Sequence, residues 1–331
     1  MSVADSNARL SACQSMLPLG VLLERLDDTA STLLVRATLP NMLLRDVLGN
    51  GSAELSEWAR YEGAVLFRGF AVEGAEQFAD AMTAFTGVSL EYEERSTPRT
   101  QVGEHVYTAT EYPAREPIFL HNENAYASCW PQFLAFHCER PAPQGGAMIL
   151  ADTRRVYAGI PQELSADCDR RGLLYKRRFI DGIGYSWQQA FGVRDEEQLA
   201  SVLQERGYQW YHEGDQLVVQ RTSSWSTTHP QTNQSVWFNH GVFFNAMSLP
   251  QATRSAFAHL FGQDIYPFQT LYGDGCAIEP ATYSLLKGAY EQALYRVLLQ
   301  PGDVLLIDNL VTAHGRDAYT GLRKHYVKML A

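Results

Sequence analysis

The sequence predicts a mainly β protein with inserted helices, built around a double-stranded β-helix (jelly-roll) core. Two observations support this prediction. From residue 117 onward, short apolar or alternating runs are separated by turn residues, which is typical of many short strands. Segments with helical periodicity interrupt these runs, so the helices decorate the sheets. We expect a single domain, with a helical and strand extension over residues 1–60 and the jelly-roll core over 61–331.

The first part of the chain begins with helical signals. Ser52 precedes an amphipathic run that ends near Tyr61. The short apolar run 64–67 predicts a strand. The run 73–86 has its apolar residues on one helical face, and Gly87 stands where a helix C-cap is expected. The sequence therefore predicts a helix, a strand and a second helix before residue 90.

The second part of the chain carries most of the predicted strands. They share a short apolar or alternating pattern and lie at 117–120, 133–138, 147–150, 217–221, 235–244, 304–307 and 325–330. Amphipathic helices are predicted at 195–206, 250–261 and 280–294. Turns separate these elements, because Pro fixes φ, Gly frees it, and Asn and Asp bond to nearby backbone. The clearest turns lie at 141–146, 228–233 and 301–303.

Net charge, cysteine content and hydropathy argue against nucleic-acid binding, a disulfide framework, a zinc ribbon and a membrane span. The net charge of −10 would repel a phosphate backbone, so nucleic acid is not expected as a partner. Cys13, Cys129, Cys138, Cys168 and Cys276 are odd in number and form no C-x-x-C pair, which argues against a disulfide framework or a zinc ribbon. No apolar run is long enough to span a bilayer, and the N-terminus lacks a signal-peptide pattern. We therefore expect a cytoplasmic protein with no membrane partner.

Two His-x-Glu pairs are candidate metal ligands. A non-haem Fe(II) site needs two imidazoles and one carboxylate on one face of an octahedron. His121 and Glu123 follow a predicted strand and open a polar turn, which is where a jelly roll presents ligands. His137 and Glu139 lie in an apolar strand beside Arg140, which favours a core histidine and a surface ion pair. The first pair is the better candidate, although its spacing alone does not decide the matter.

The C-terminal part of the chain supplies a second histidine and an arginine. His314 follows the predicted strand 304–307 and an Asp-Asn turn. Arg323 stands nine positions later, at the start of the last strand. A 2-oxoglutarate site needs such a pair, because the keto acid chelates the iron while its far carboxylate takes a bidentate guanidinium in a buried pocket.

These motifs together resemble the TauD/TfdA-like superfamily of Fe(II)- and 2-oxoglutarate-dependent dioxygenases. The resemblance rests on His-Asn-Glu-Asn-Ala-Tyr at 121–126, Pro-Ala-Pro-Gln-Gly-Gly at 141–146, Val-Trp-Phe-Asn at 236–239 and Asp-Asn-Leu-Val-Thr-Ala-His-Gly-Arg at 308–316. The segment 108–113 also fits. The match runs from about Gly63 to the C-terminus and is nearest to the syringomycin-type amino-acid hydroxylases of non-ribosomal peptide pathways.

The resemblance implies that His121, Glu123 and His314 bind Fe(II) and that Arg323 binds the far carboxylate of 2-oxoglutarate. It also implies O2 as a co-substrate and hydroxylation of an unactivated C–H bond. Halogenating members have a small residue where this chain has Glu123, so the carboxylate favours hydroxylation. Desaturation, cyclisation and oxidative C–N chemistry use the same ligands and stay open. A non-catalytic jelly-roll binding protein is a third interpretation, and the complete set of candidate ligands argues against it.

One position departs from the family pattern. Members usually carry a threonine two positions after the Gly-Gly pair, and its hydroxyl helps to hold 2-oxoglutarate. In this chain the position is Met148, whose thioether is a weak acceptor and donates no hydrogen bond. Either another hydroxyl, such as that of Thr312, takes its place, or the co-substrate is held more weakly.

The expected substrate is an amino acid, either free or tethered to an acyl or peptidyl carrier protein. The candidate substrate-binding residues are Asn122, Tyr126, Arg95 and Arg316, and each also fits an ordinary surface or structural role. A basic stretch within residues 154–178 would steer an acidic carrier protein to the site. A solvated basic face is the alternative interpretation. This basic stretch consists of Arg154, Arg155, Arg170, Arg171, Lys176, Arg177 and Arg178.

Overall fold

The computed structural model describes residues 14, 17–26, 31–91, 93–109, 111–262 and 265–331. Cys13, and Thr110 of the segment 108–113, lie outside the described residues. The four described cysteines are free thiols. No helix within the described ranges combines the length and the apolar content that crossing a membrane requires.

The described residues form a mainly β structure with helices between the strands, which confirms the predicted composition. The strands are β1 (Val21–Arg25), β2 (Thr32–Ala37), β3 (Ala64–Arg68), β4 (Gln101–Gly103), β5 (Val106–Thr108), β6 (Ile118–His121), β7 (Phe133–Arg140), β8 (Gln144–Gly145), β9 (Met148–Asp152), β10 (Leu173–Phe179), β11 (Gln209–Glu213), β12 (Gln216–Ser223), β13 (Thr227–Thr228), β14 (Ser235–Val236), β15 (Phe268–Tyr272), β16 (Leu294–Val297), β17 (Val304–Asp308), β18 (Thr312–Arg316), β19 (Tyr319–Thr320) and β20 (Lys324–Leu330). The helices are α1 (Leu44–Glu62), α2 (Gly74–Thr86), α3 (Thr153–Gly159), α4 (Gln162–Arg171), α5 (Trp187–Phe191), α6 (Glu196–Glu205), α7 (Gln251–Phe261) and α8 (Pro280–Ala293).

Two sheets position the candidate site. The larger sheet has eight strands in the order β1-β2-β3-β17-β7-β20-β5-β4, and the smaller has the order β16-β9-β18-β6. Neighbouring strands in both sheets pair antiparallel, except that β2 runs parallel to β3. A third sheet, in the order β11-β12-β10-β15, forms a separate layer, and one of its faces packs on α5 and α6.

The two main sheets share a buried apolar layer. Leu66, Leu134 and Met329 point into this layer from the larger sheet, and Met148 and Leu150 point into it from β9. Side chains alternate along a strand, so the next residues of the larger sheet point away and pack against α1 and α2. The other face of the smaller sheet is covered by α3, α4 and α8.

The predicted strand at 235–244 is wrong over most of its length, because only Ser235–Val236 is a strand. Beyond it, side-chain bonds to the backbone replace the strand ladder. The Asn239 amide nitrogen donates to the carbonyl of Trp225 at 2.6 Å, and its amide oxygen accepts from the N–H of Gly241 at 2.8 Å. A Cβ at Gly241 would lie 2.3 Å from the Trp225 ring, so the chain turns tightly against this indole.

Several further elements were not predicted from the sequence pattern. The first helix begins at Leu44, earlier than the expected start at Ser52. Strands β1, β2, β10 and β11 and helices α3, α4 and α5 also lie outside the predicted elements. Strand β11 is exposed at every position, so it carries no apolar alternation that a sequence pattern could reveal.

Replacing either of two glycines by alanine should change the stability of the protein, in opposite directions. A Cβ at Gly315 would lie 2.4 Å from the carbonyl oxygen of Ile118, so Gly315→Ala must displace β18 from β6. We expect a loss of about 1–3 kcal/mol in the free energy of unfolding. Gly288 lies within α8, and its Cβ would meet no neighbouring atom within 4 Å, so Gly288→Ala should add about 0.5–1 kcal/mol. Urea unfolding measures both changes, and equal stability of the two variants would contradict the close approach of β18 to β6 at Gly315.

Candidate metal centre

Two histidines face each other across neighbouring strands. Strand β6 pairs antiparallel with β18, and His121 lies directly opposite His314. Residues that are directly opposite point to the same face of a sheet, and the two ring centroids are 4.5 Å apart. Both histidines are buried. The pairing register therefore brings together two imidazoles that are far apart in the sequence.

The side chain of Asn309 holds the backbone of Glu123. Its amide oxygen accepts from the N–H of Glu123 at 2.8 Å, and its amide nitrogen donates to the carbonyls of Glu123 and Pro131, each at 3.0 Å. The Asn122 amide nitrogen donates to the carbonyl of Asn309 at 2.6 Å. We call this set of hydrogen bonds the Asn309 clamp. It fixes the His-Asn-Glu turn to the turn that precedes β18.

A second buried pair supports the same turn. Asp308 accepts from the N–H groups of Leu310 and Val311 through one oxygen, and its other oxygen lies 3.1 Å from His229 Nε2. His229 Nδ1 accepts from two backbone N–H groups of its own loop, so Nε2 carries the proton and donates to Asp308. The loop at 229–232 thus braces the turn that leads to His314.

The three predicted ligands converge in the folded chain. One nitrogen from each of His121 and His314 and one oxygen of Glu123 lie within 4.8 Å of one another. His121 Nδ1 lies 2.9 Å from the carbonyl oxygen of Phe119, which sets the tautomer and leaves Nε2 for a metal. The other nitrogen of His314, Nδ1, has no partner among the described residues. Two imidazoles and one carboxylate in this arrangement suit Fe(II).

Burial and charge keep these groups in the states that bind a metal. Burial, followed by the nearby His314, lowers the pKa of His121 well below its usual value, so its imidazole is neutral. Burial alone would raise the pKa of Glu123, but the charge of Arg99 and a hydrogen bond from His314 lower it below the usual range. The carboxylate is therefore ionised at neutral pH.

Arg99 forms an ion pair with Glu123 that the sequence analysis missed. Its Nη2 lies 2.8 Å from Glu123 Oε2, and the two side chains are only 3% and 5% exposed. The predicted substrate residue, Arg95, lies four positions earlier and is exposed. Both arginines belong to the same Arg-Ser-Thr-Pro-Arg segment, and the sequence holds no signal that separates them.

A small pocket opens on the two histidines. Its lining residues are Arg99, Ala109, Ile118, His121, Phe136, Met148, His314, Gly315, Arg316 and Arg323. Three of these residues are arginines, and Arg99 is paired with Glu123. The pocket therefore offers a neutralised metal site together with two further cations.

The guanidiniums of Arg316 and Arg323 form no ion pair with a carboxylate in the described part of the chain. Both lie over the ring of Tyr319, at 4.8 and 5.7 Å from its centroid. The Nε atom of each is buried and has no hydrogen-bond partner among the described residues. Burial, and then the charge of Arg316, lower the pKa of Arg323 to about 10, which leaves it charged at neutral pH. Two buried cations with unused N–H groups suit a carboxylate ligand.

Met148 and His325 lie beside Arg323. The Arg323 Nη2 atom donates to His325 Nδ1 at 2.8 Å and lies 3.6 Å from the sulfur of Met148. Burial, followed by the charge of Arg323, lowers the pKa of His325 to about 2, so this imidazole is neutral and accepts the hydrogen bond. The position that usually carries threonine thus contacts the arginine predicted to hold the co-substrate.

The remaining candidate residues lie outside this pocket. The hydroxyl of Thr312 donates to the carbonyl of Gly63 at 2.9 Å. The side chain of Asn122 belongs to the Asn309 clamp, and the hydroxyl of Tyr126 donates to the carbonyl of Glu94 at 2.6 Å. Of the four predicted substrate residues, Arg316 alone lines the pocket.

The second His-x-Glu pair has the structural role that was expected of it. His137 is buried, and its ring stacks on those of Phe78 and Tyr326. Glu139 pairs with Lys324 at 2.9 Å. The expected pairing of Glu139 with its neighbour Arg140 was wrong, because β20 brings Lys324 alongside the end of β7.

Aromatic rings that the sequence analysis did not single out surround His121. Phe243 stacks on the His121 ring at a centroid distance of 4.5 Å and an angle of 13°. His240 stands nearly perpendicular to it at 5.5 Å, and its Nε2 lies 2.5 Å from the carbonyl oxygen of Asn122. Both residues lie in the segment predicted to be a strand, where alternation would have separated neighbouring side chains. Trp237 is fully buried, as expected of a core aromatic.

The Asn309 clamp predicts that Asn309→Asp weakens metal binding. Aspartate keeps an acceptor for the N–H of Glu123 but loses the donor to two carbonyls, so the ligand turn is no longer fixed on both sides. We expect the affinity for Fe(II) to fall by about tenfold or more, as for other outer-shell partners. Anaerobic titration with Fe(II) measures this affinity.

Asn245→Asp is the matched control. Asn245 is also buried, and its side chain bonds to Thr270 and Met247 rather than to the turn that carries Glu123. This change should lower stability and leave the affinity for Fe(II) unaltered. Equal metal affinity in both variants would show that the clamp does not position the ligands.

Comparison with known proteins agrees with this geometry. The family described as taurine catabolism dioxygenase TauD, TfdA matches residues 29–330 of the chain. The dapdiamide synthesis protein DdaC of Enterobacter agglomerans is 31% identical over 271 residues, which cover 81% of this chain and 82% of the relative. A clavaminate synthase-like protein of Arabidopsis thaliana is 28% identical over 274 residues, covering 79% of each chain.

Solved structures share the fold. The PvcB protein from Pseudomonas aeruginosa superposes with a TM-score of 0.57 at 17% identity, covering 94% of this chain and 91% of PvcB. A second structure of PvcB, described as an Fe, alpha-ketoglutarate dependent oxygenase from an isonitrile synthetic pathway, gives a TM-score of 0.54 at 18% identity over the same shares. The chain belongs to the TauD, TfdA family and is a non-haem iron, 2-oxoglutarate-dependent dioxygenase.

Proposed function

We propose that this enzyme hydroxylates an unactivated C–H bond of an amino acid, free or tethered to a carrier protein, in the synthesis of a secondary metabolite. One observation carries the proposal. His121 and His314 line the same small pocket as Arg316 and Arg323, two guanidiniums without a carboxylate partner among the described residues. A metal at the histidines and an anion at the arginines would share one cavity, as a metal-chelating keto acid with a far carboxylate requires.

We assign Fe(II) to His121, Glu123 and His314. The neutral imidazole, the ionised carboxylate and the Asn309 clamp support this assignment. When bound, iron and 2-oxoglutarate supply the O2-dependent oxidation of a C–H bond, with succinate and CO2 as by-products. The residues of the chain hold the ligands in place and exclude water, since all three ligands are buried.

We assign the far carboxylate of 2-oxoglutarate to Arg323, with Arg316 beside it. The buried Nε atoms of both arginines support this assignment, because each needs an acceptor. His325 accepts from one end of the Arg323 guanidinium and so orients the other donors. Thr312 stays a predicted co-substrate residue, but the hydrogen bond of its hydroxyl to Gly63 gives it a different use in this structure.

The relatives support a role in secondary metabolism. DdaC is named for dapdiamide synthesis, and PvcB is described as coming from an isonitrile pathway. The presence of Glu123 in the ligand set supports hydroxylation rather than halogenation. Desaturation and cyclisation remain the alternative outcomes, and the mass of the product distinguishes them from hydroxylation.

The basic stretch of residues 154–178 gives little support to docking of a carrier protein. Four of its seven members form ion pairs with carboxylates, namely Arg154 with Asp152, Arg170 with Asp167, Arg171 with Asp274 and Arg178 with Glu213. This pairing favours a solvated face whose charges are balanced locally. The choice between a free and a tethered substrate therefore depends on assays with both.

We also propose that the two sheets around the apolar layer are the double-stranded β-helix of the family and that the chain is a single catalytic domain. Strands β1 and β2 from the predicted extension join the larger sheet beside β3. The family match begins at residue 29, within that extension. Both observations support one continuous unit.

The proposed function predicts formation of succinate. Protein loaded anaerobically with Fe(II) and given 2-oxoglutarate and O2 should release succinate when the correct amino acid, free or carrier-bound, is present. His121→Ala and His314→Ala should abolish turnover while near-UV circular dichroism shows an intact fold. Ample succinate from either variant, or none from the wild type with any substrate in the panel, would contradict the proposal.

Because Met148 lies beside Arg323, we expect its replacement by threonine to strengthen binding of 2-oxoglutarate. Met148→Thr places a hydroxyl beside Arg323, where it can donate to the same carboxylate, so the apparent KM for 2-oxoglutarate should fall. We expect a change of about 0.5–1.5 kcal/mol, the usual net value of one hydrogen bond. Met148→Val is the matched control, since it has the shape of threonine without the hydroxyl. A KM that changes equally in both variants would exclude this explanation.

A further inference from the structure

The ion pair between Arg99 and Glu123 joins a buried guanidinium to one of the proposed metal ligands. Arg99 Nη2 contacts Glu123 Oε2 at 2.8 Å, and the same oxygen lies 3.6 Å from His314 Nε2. Both side chains of the ion pair are almost completely buried. The contact is therefore a charge-assisted hydrogen bond to one particular oxygen of a proposed metal ligand.

The backbone around Arg99 is held by a sheet. The next residue, Thr100, exchanges hydrogen bonds with Thr108, its N–H donating to the hydroxyl at 2.9 Å and its carbonyl accepting at 2.8 Å. Strand β5, which contains Thr108, pairs with β20 in the larger sheet. The backbone next to Arg99 is therefore held in place by the larger sheet while its side chain contacts Glu123.

The number of coordination positions explains why one oxygen should be held. An octahedral iron has three positions for the protein, two for the chelating keto acid and one for O2. A glutamate that bound through both oxygens would occupy a fourth position and displace one of these ligands. Carboxylates bind metals through one or both oxygens, so the ligand set alone does not prevent this.

We propose that Arg99 is a positioning residue that restricts Glu123 to coordination through a single oxygen, and so keeps open the positions that 2-oxoglutarate and O2 need. The proposal rests on the proposed function, because it concerns the same metal site. A guanidinium that occupies Oε2 makes chelation by both oxygens costly, because the buried charge-assisted hydrogen bond would be lost.

A purely structural ion pair would behave differently when it is broken. Removal of Arg99 leaves the charge of Glu123 buried without its partner, and a bound metal cation is then its remaining nearby counter-charge. Binding of Fe(II) should therefore persist, while binding of 2-oxoglutarate to the iron complex should weaken. A structural pair would instead lower stability without separating the two affinities.

The experiment uses Arg99→Met, which keeps the bulk of the side chain and removes its charge, together with Arg99→Lys, which keeps the charge. Each variant is titrated anaerobically with Fe(II), and then with 2-oxoglutarate, while the visible charge-transfer absorption of the iron and keto-acid complex is recorded. Arg99→Met should bind Fe(II) at least as tightly as the wild type. Its affinity for 2-oxoglutarate should fall by about tenfold or more, and the absorption at saturation should be weaker.

Arg99→Lys should restore most of the absorption, because the ammonium still donates to Oε2. Arg68→Met is the matched control, since it breaks the ion pair between Arg68 and the buried Asp303, at 2.6 Å, in another part of the larger sheet. This control should lower the melting temperature and leave both affinities unchanged.

The outcomes separate the two proposals. Wild-type absorption and wild-type affinity for 2-oxoglutarate in Arg99→Met would overturn the positioning role, and so would loss of Fe(II) binding in both Arg99 variants. Absence of the absorption in the wild-type protein would instead overturn the proposed function itself.

Discussion

The Asn309 clamp is the interaction on which the candidate metal centre depends. One amide side chain satisfies both backbone polar groups of Glu123, and the carbonyl of Asn309 accepts from Asn122. These partners are buried, so any group left unbonded would carry the full cost of its desolvation. The clamp holds Glu123, and the pairing of β6 with β18 places His121 opposite His314, so two independent constraints position the three candidate ligands. The position of each ligand therefore follows from backbone geometry rather than from the flexibility of its side chain.

The charges of the arginines determine what the pocket beside the candidate metal centre can bind. Three guanidiniums line the pocket beside the two histidines, and burial lowers the pKa of Arg323. Buried charges are stable when paired, and Arg99 has its partner in Glu123. Arg316 bonds to the backbone carbonyls of Pro113 and Glu116 at 2.9 and 2.7 Å, which disperses some of its charge. A dicarboxylate co-substrate would place negative charge beside the two guanidiniums that lack a carboxylate partner among the described residues.

Much of this arrangement could be predicted from the sequence, for physical reasons. Strands such as β7 and β17 are buried on both faces, so they appear as uninterrupted apolar runs. The three candidate ligands could be named from the sequence because short motifs carry them, and the fold brings them together. Arg99 could not be chosen over Arg95, since only the sheet behind it determines which of the two points inward. The prediction of a strand over 235–244 was wrong beyond Val236, because the apolar residues of that segment pack around His121 and Trp225 instead of alternating along a strand.

The candidate ligands lie far apart in the sequence, which bears on how the region between them can change during evolution. The partners in the Asn309 clamp are 187 residues apart, yet they meet because β6 and β18 are neighbours. The separate sheet β11-β12-β10-β15 belongs to the intervening segment but not to the two sheets that carry the candidate ligands, so it can change in length or composition without altering the order of their strands. Insertions and losses within this separate sheet would thus leave the pairing of β6 with β18 intact.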